Sequence, residues 1–182
     1  MGAKAKAILA GGLVLGVGAA VTLAAWTDQE WAIGNFGTGQ FGIEGSIDGT
    51  DFTSHATEAG AAQLSFSAET PTDLTPTDVV YESFAVRLEQ NSTRQAEVDI
   101  TQHDDDAIAG TSAAFRLTTS LDCDADAFVA GTADTSFTLG ETDDVQYICF
   151  EVTADSEEAL AKGATGSFTW QFEAESGEAI TP

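Results

Sequence analysis

The chain has 182 residues and a formal net charge of −24, from 30 acidic and six basic residues. This imbalance makes nucleic acid and anionic membrane surfaces poor partners, because both carry negative charge that would repel the chain. The acidity suits a high-salt medium, in which repulsion between surface charges is screened within a few Å.

The first 25 residues predict an export signal. Lys4 and Lys6 precede an uncharged run from Ala7 to Ala25 that is rich in Gly, Ala, Leu and Val. A basic segment, an apolar segment and small residues at the end form the order of a secretory signal peptide. We therefore predict an N-terminal signal helix at residues 1–25, cleaved between Ala25 and Trp26 by a signal peptidase. Residues 26–182 are then one secreted or surface-associated domain.

The alternative is that the leader is retained as a membrane anchor. The uncharged run approaches the roughly 20 residues that a spanning helix needs. Its glycines, at positions 11, 12, 16 and 18, weaken helix propensity, and no basic stop-transfer cluster follows it. We expect contact with a membrane only through the uncleaved leader.

Three aromatic residues, Trp26, Trp31 and Phe36, follow the predicted cleavage site at intervals of five. Because five is odd, consecutive members of this set point to opposite faces of an extended chain. Two interpretations are open. The segment is a first strand packed in its own core, or it is an assembly segment that pairs with an open strand edge on a neighbouring subunit.

Apolar and polar residues alternate along most of the remaining chain. The inward-facing sets are Phe41/Ile43, Leu64/Phe66, Phe84/Val86/Leu88, Ala96/Val98/Ile100, Ala113/Phe115/Leu117, Ile148/Phe150/Val152 and Phe168/Trp170/Phe172. A period of two indicates strands with one face in a core and one in water, which antiparallel sheets permit. Seven to nine such strands separated by turns predict an all-β fold, an antiparallel β-sandwich.

Two stretches depart from this alternation. We expect Asp122–Asp134 to form a loop. One helical turn is predicted at Ser156–Ala161, where Asp155 would cap the first turn and Glu158 has the spacing of a capping box.

Cys123 and Cys149 are the two cysteines of the chain. Two cysteines in an exported protein usually pair, and closing a loop of about 26 residues would stabilise the fold by roughly 3–4 kcal/mol. Two separate buried thiols are the alternative. A His/Cys metal site is disfavoured, because His55 and His103 have no partner at ligand spacing.

Asp122, Asp124 and Asp126 place carboxylates at alternate positions, as in the first half of a calcium loop. An EF-hand also needs Gly at position six and Glu at position twelve, where Ala127 and Ala133 stand. The three aspartates are therefore weak candidates for Ca²⁺ binding, and a solvated acidic loop is the simpler interpretation.

No local sequence favours catalysis or a cofactor. The His-Glu-x-x-His and Gly-x-Ser-x-Gly patterns are both absent from the sequence, so we expect a protein that is not an enzyme. Asn91-Ser92-Thr93 matches the acceptor pattern for N-glycosylation in a predicted surface turn. A plain turn and a modification site both fit that triplet.

Three short stretches resemble the TasA/camelysin family of exported matrix proteins, whose leaders are removed by a SipW-type signal peptidase. They are the junction Leu23–Asp28 followed by Gly37–Ile43, the section from Asp73 through Phe84–Val86 to Asn91–Thr93, and the closing strand Gly166–Ala174. The cysteine pair is not typical of that family, and the acidity exceeds what the family leads us to expect.

The resemblance implies a jelly-roll-like sandwich and a structural role at the cell surface or in a biofilm matrix. It also implies a fibre subunit that associates with itself or with other matrix proteins by donating its N-terminal strand. The alternative is a monomeric, secreted acidic module that binds Ca²⁺ or a basic partner. A camelysin-type metalloprotease is the least favoured function, since the chain has no zinc motif.

Overall fold

The computed structural model describes residues 30–34, 38–66, 74–155, 160 and 162–180. The predicted signal peptide and its cleavage site at Ala25 and Trp26 lie outside these ranges, and so does Phe36. The predicted helical turn at Ser156–Ala161 also lies outside them, apart from Leu160. The chain divides into two units, Met1–Gly37 and Thr38–Pro182.

The described part of the second unit contains seven strands in two antiparallel sheets. The strands are β1 (Ile43–Ser46), β2 (Val79–Leu88), β3 (Arg94–His103), β4 (Thr111–Thr118), β5 (Ser136–Leu139), β6 (Val145–Ala154) and β7 (Thr169–Ala179). Their order is β1-β2-β6-β4 in the first sheet and β5-β3-β7 in the second. A 3₁₀ turn at Glu58–Gly60 and the helix α1 at Ala125–Ala130 complete the elements. The predicted all-β, antiparallel sandwich is confirmed.

The hydrophobic core lies between the two sheets and is built from the predicted alternating residues. Its buried members are Phe84, Val86, Leu88, Ala96, Val98, Ile100, Leu139, Ile148 and Phe150. Aromatic contacts cross between the sheets: Phe84 of β2 packs against Phe172 of β7, with 5.5 Å between their ring centroids. Full burial of such a side chain stabilises the fold by about 1.5–3 kcal/mol.

The first sheet is covered on its other face as well. Ala85 and Cys149 point away from the core, yet both are 0% exposed. The cover comes from two connections. Phe52 lies under the Arg87 guanidinium at 4.0 Å from the ring centroid, and Phe128 of α1 packs against Tyr81 at 6.0 Å between centroids. The simple pattern of one buried and one wet face therefore does not hold for this sheet.

The prediction of a loop at Asp122–Asp134 is wrong, because this stretch contains α1. The Asp124 carboxylate accepts a hydrogen bond of 2.8 Å from the Ala127 N–H, which caps the first turn. At the other end the Gly131 N–H donates to the Ala127 carbonyl. Burial of Phe128 against the first sheet holds this short helix, and that contact is not visible in local sequence.

The strand predicted at Leu64/Phe66 is also wrong. Ala62, Leu64 and Phe66 do face the core and are half-buried, while Gln63 and Ser65 are exposed. However, no backbone hydrogen bond within the described ranges joins residues 62–66 to a strand. The alternation therefore reports packing against the core and not membership of a sheet.

Candidate functional site

The strand β7 forms a long edge of the second sheet. It spans 11 residues and pairs with β3 along one side. In the described part of the chain no residue pairs with its other side. A long edge strand of this kind presents a row of unpaired backbone groups to an added strand.

The ladder of β3 shows which β7 groups face outward. The Ile100 N–H donates to the Thr135 carbonyl at 2.8 Å, on the side of β3 that faces β5. Backbone groups of successive residues point to opposite neighbours in a strand. The preceding residue of β3, Asp99, therefore bonds to β7, where its partner is Glu173.

The same alternation applies along β7. Because the N–H and C=O groups of Glu173 point to β3, those of the residues one position to either side of it, and three positions before it, point to the free edge. These residues are Trp170, Phe172 and Ala174. Their side chains point into the core, so an added strand would lie directly beside the core layer.

The residues at this edge are firmly packed. The Trp170 indole N–H donates to the Gln102 side-chain oxygen at 2.9 Å. Phe66 contacts Trp170 at 6.2 Å between centroids, so the unpaired segment at 62–66 lies beside the edge strand. The edge strand β7 is therefore held firmly in its ladder. The apolar segment 62–66 lies beside it, and in the described residues this segment has no backbone pairing with a strand.

The other edge strands present fewer free backbone groups to an added strand than β7 does. At the edge strand β4, the Ala113 carbonyl accepts a hydrogen bond of 3.1 Å from the Gln102 side chain. Leu117 exchanges two backbone hydrogen bonds of 2.9 Å with Thr132. The edge strands β1 and β5 have four residues each. Of the described edges, β7 is thus the one best suited to accept another strand.

The outer face of the second sheet carries opposed carboxylates. Glu97 lies directly across from Glu175, and Asp99 lies directly across from Glu173. All four residues are exposed. Like charges directly opposite in a ladder destabilise it, and salt weakens that repulsion.

Trp31 is the one predicted assembly residue that the structure describes. It is 87% exposed, and Ile33 is 86% exposed. Residues two apart share one face of an extended chain, so these two side chains would form an apolar pair in an added strand. Sequence reasoning missed Ile33 because it followed aromatic residues alone, although spacing by two was the available signal.

The predicted disulfide between Cys123 and Cys149 is confirmed, with 5.2 Å between the Cα atoms. Cys149 is fully buried in β6, opposite Ser83 of β2. The bond joins the segment that leads into α1 to the centre of the first sheet. It is a structural crosslink that holds α1 against the outer face of the first sheet.

The weak metal candidates do not form a described site. Asp124 caps α1, and no group of three or more His, Cys, Asp or Glu residues that could hold a metal ion occurs within the described ranges. The same ranges contain no helix that is both long and apolar enough to cross a membrane.

Near the aromatic cover, burial and the acceptor Glu151 raise the pKa of Tyr81 to about 12. The Tyr81 hydroxyl donates a 2.8 Å hydrogen bond to that carboxylate. In the turn after β1, the pKa of Asp48 is held well below its usual range by the Asp51 and Thr50 N–H groups. Local structure explains both pKa shifts, and neither shift indicates a catalytic reaction.

No protein-family model matches the chain, and a search of curated proteins finds no match. The resemblance to TasA/camelysin proteins therefore depends on the sequence stretches alone.

Proposed function

We propose that this protein is an exported structural subunit of the cell surface or extracellular matrix, with no catalytic role. Subunits join when the N-terminal segment of one adds to the free edge of β7 on the next. The observation that carries the proposal is this edge, where Trp170, Phe172 and Ala174 direct backbone groups outward. The order of charges and apolar residues at 1–30 and the TasA/camelysin resemblance support export and a matrix role.

The donor segment has the chemistry that such an edge needs. An added strand gains backbone hydrogen bonds along the edge, and alternate side chains set its specificity. Trp31 and Ile33 are exposed and share one face of an extended chain. Burial of Ile33 alone against a neighbour would contribute about 1.5–3 kcal/mol.

Charge sets the conditions for assembly. Glu30 precedes the apolar pair, and Glu173 and Glu175 stand on the acceptor strand. These carboxylates repel one another, and the rest of each subunit is acidic as well. Because salt screens such repulsion, assembly should be favoured at high ionic strength.

The proposal is tested with purified residues 26–182 in high salt, by electron microscopy and light scattering. We expect filaments or multimers, and we expect the double variant Trp31→Ser/Ile33→Ser to stay a folded monomer. A matched control is Val129→Ser, which removes an apolar side chain that is 84% exposed on α1. The control should assemble normally. Assembly of the double variant to the same extent would show that this segment is not the donor.

A further inference from the structure

Asn91, Ser92 and Thr93 lie in the turn that joins β2 to β3. The Ser92 N–H donates to the Glu89 carbonyl at 2.9 Å, which closes a β-turn with Asn91 at its third position. Asn91 and Thr93 are exposed, whereas Ser92 is 8% exposed. The two residues that define an N-glycosylation acceptor are thus open to solvent in the turn that connects the two sheets.

Ser92, the middle residue of the triplet, anchors the turn to Gly42 through its hydroxyl group. The Ser92 hydroxyl donates to the Gly42 carbonyl at 3.2 Å and accepts from the Gly42 N–H at 3.3 Å. The Asn91 amide donates to the Gln40 side-chain oxygen, and the Thr93 hydroxyl donates to the Gln40 carbonyl at 3.2 Å. The Asn and Thr side chains therefore meet at one exposed residue.

A turn alone does not explain asparagine here. The chain has 30 acidic residues, while asparagine occurs at Asn35 and Asn91 alone. Several described turns use aspartate, as Asp48 and Asp78 do when their carboxylates accept backbone N–H groups. Aspartate serves such turns as well as asparagine does. The turn at position 91 has a neutral amide instead, and it stands two residues before the Thr93 hydroxyl.

We propose that Asn91 is N-glycosylated during export. An oligosaccharyltransferase would transfer the glycan from a lipid-linked oligosaccharide phosphate. The Asn91 Nδ2 forms a bond to C1 of the first sugar as the bond from C1 to the phosphate oxygen breaks. The lipid phosphate leaves with the electron pair, and one amide proton passes to a base.

The fold tolerates this modification. The Asn91 amide has two N–H groups and makes one described hydrogen bond, to Gln40. After transfer the nitrogen still carries one N–H, which suffices for that bond. The glycan would extend into solvent beside Gln40–Gly42, the stretch that is hydrogen-bonded to this turn.

The inference rests on the export that the proposed function includes. Peptide mass mapping distinguishes a failure of glycosylation from a failure of export. The full-length chain is expressed in the cell that naturally produces it, purified and digested with trypsin. Cleavage after Arg87 and Arg94 releases Leu88–Arg94, which contains the whole triplet. We expect this peptide to carry a glycan mass on Asn91 in most of the exported protein.

Variants identify the acceptor pattern. Asn91→Gln and Thr93→Ala should lose the added mass, and Thr93→Ser should keep it because a hydroxyl remains. A mass that persists in Thr93→Ala would overturn the proposal. So would an unmodified peptide from a chain that begins at Trp26, which leaves export intact. An unmodified peptide from a chain that still carries residues 1–25 and is recovered only from the cytoplasm would overturn both export and glycosylation; from such a chain held at the membrane, it would overturn glycosylation alone.

Discussion

The Trp170 ring packs against the Phe150 ring with 4.2 Å between their centroids. This contact joins the edge strand of the second sheet to a central strand of the first. Phe150 is 1% exposed, so the contact lies within the core. The strand that we propose as an assembly edge is thereby fixed to the most buried part of the molecule.

Removal of the Trp170 side chain should destabilise the fold strongly. Trp170→Ala leaves a cavity against Phe150, and such changes typically lower the free energy of unfolding by about 3–5 kcal/mol. Urea denaturation followed by circular dichroism measures the loss. Trp31→Ala is the matched control, because the exposed indole should change stability by less than about 0.5 kcal/mol. Equal losses for the two variants would contradict the packing described for Trp170.

Proline at position 174 should block assembly while leaving the subunit folded. The Ala174 N–H points to the free edge, where proline removes no ladder bond. Glu173→Pro is the contrasting variant, because it removes an N–H that bonds to β3 and should unfold or weaken the subunit. Light scattering measures assembly and circular dichroism measures folding. Normal assembly of Ala174→Pro would show that another edge accepts the donor strand.

Neutralising the opposed carboxylates should stabilise the protein at low salt. Glu173→Gln and Glu175→Gln each remove a like-charge pair, worth roughly 0.2–1 kcal/mol. The gain should shrink in molar salt, where the repulsion is already screened. Urea midpoints at low and high NaCl measure the effect. Glu58→Gln, outside the sheets, is the control, and an equal gain there would assign the effect to net charge rather than to the ladder.

Loss of the disulfide should lower the free energy of unfolding by about 3–4 kcal/mol, given a sequence separation of 26. The double variant Cys123→Ala/Cys149→Ala is compared with wild type in urea, with and without a reducing agent. Reduction should weaken wild type and leave the variant unchanged. Asp124→Ala, which removes the α1 cap alone, should lose about 1 kcal/mol. Indifference of wild type to reduction would contradict a structural role for the bond.

The Tyr81 pKa of about 12 predicts a delayed ionisation in alkaline solution. The folded phenol should stay protonated near pH 11, where an ordinary tyrosine with a pKa near 10 is ionised. Because the folded pKa is raised, the associated stability is fully present below pH 10 and is lost as pH rises toward 12. Ultraviolet absorbance of phenolate measures the titration. Glu151→Gln should lower the Tyr81 pKa, and an unchanged curve would contradict the assigned cause.

Local alternation was sufficient to predict six of the seven described strands and most of the core, but it missed β5 and wrongly predicted a strand at Leu64/Phe66. Phe84, Val86, Ile148 and Phe150 are buried as their spacing indicates. Burial of Ala85 was not predictable from spacing, since its cover comes from residues distant in sequence. The helix α1 was missed for the same reason, because Phe128 finds its contacts on another part of the chain.

The proposed assembly site depends on strand order, which alternation does not encode. The pairing of β3 with β7 leaves the other side of β7 without a partner strand in the described residues, and β3 and β7 are far apart in the chain. The cysteine pairing was predictable, because a chain with two cysteines allows one intramolecular bond and the sequence predicts export. The surface turn at Asn91 was also predictable, whereas its position between the two sheets and the hydrogen bonds from Ser92 to Gly42 required the fold.

The bare acidic face of the second sheet has a consequence for any filament built along β7. Repetition of Glu97, Asp99, Glu173 and Glu175 in successive subunits would line one flank with fixed negative charge. Such a flank behaves as a polyelectrolyte and gathers a dense cloud of mobile cations and water. A mat of these filaments would swell when the surrounding brine is diluted and contract when it is concentrated.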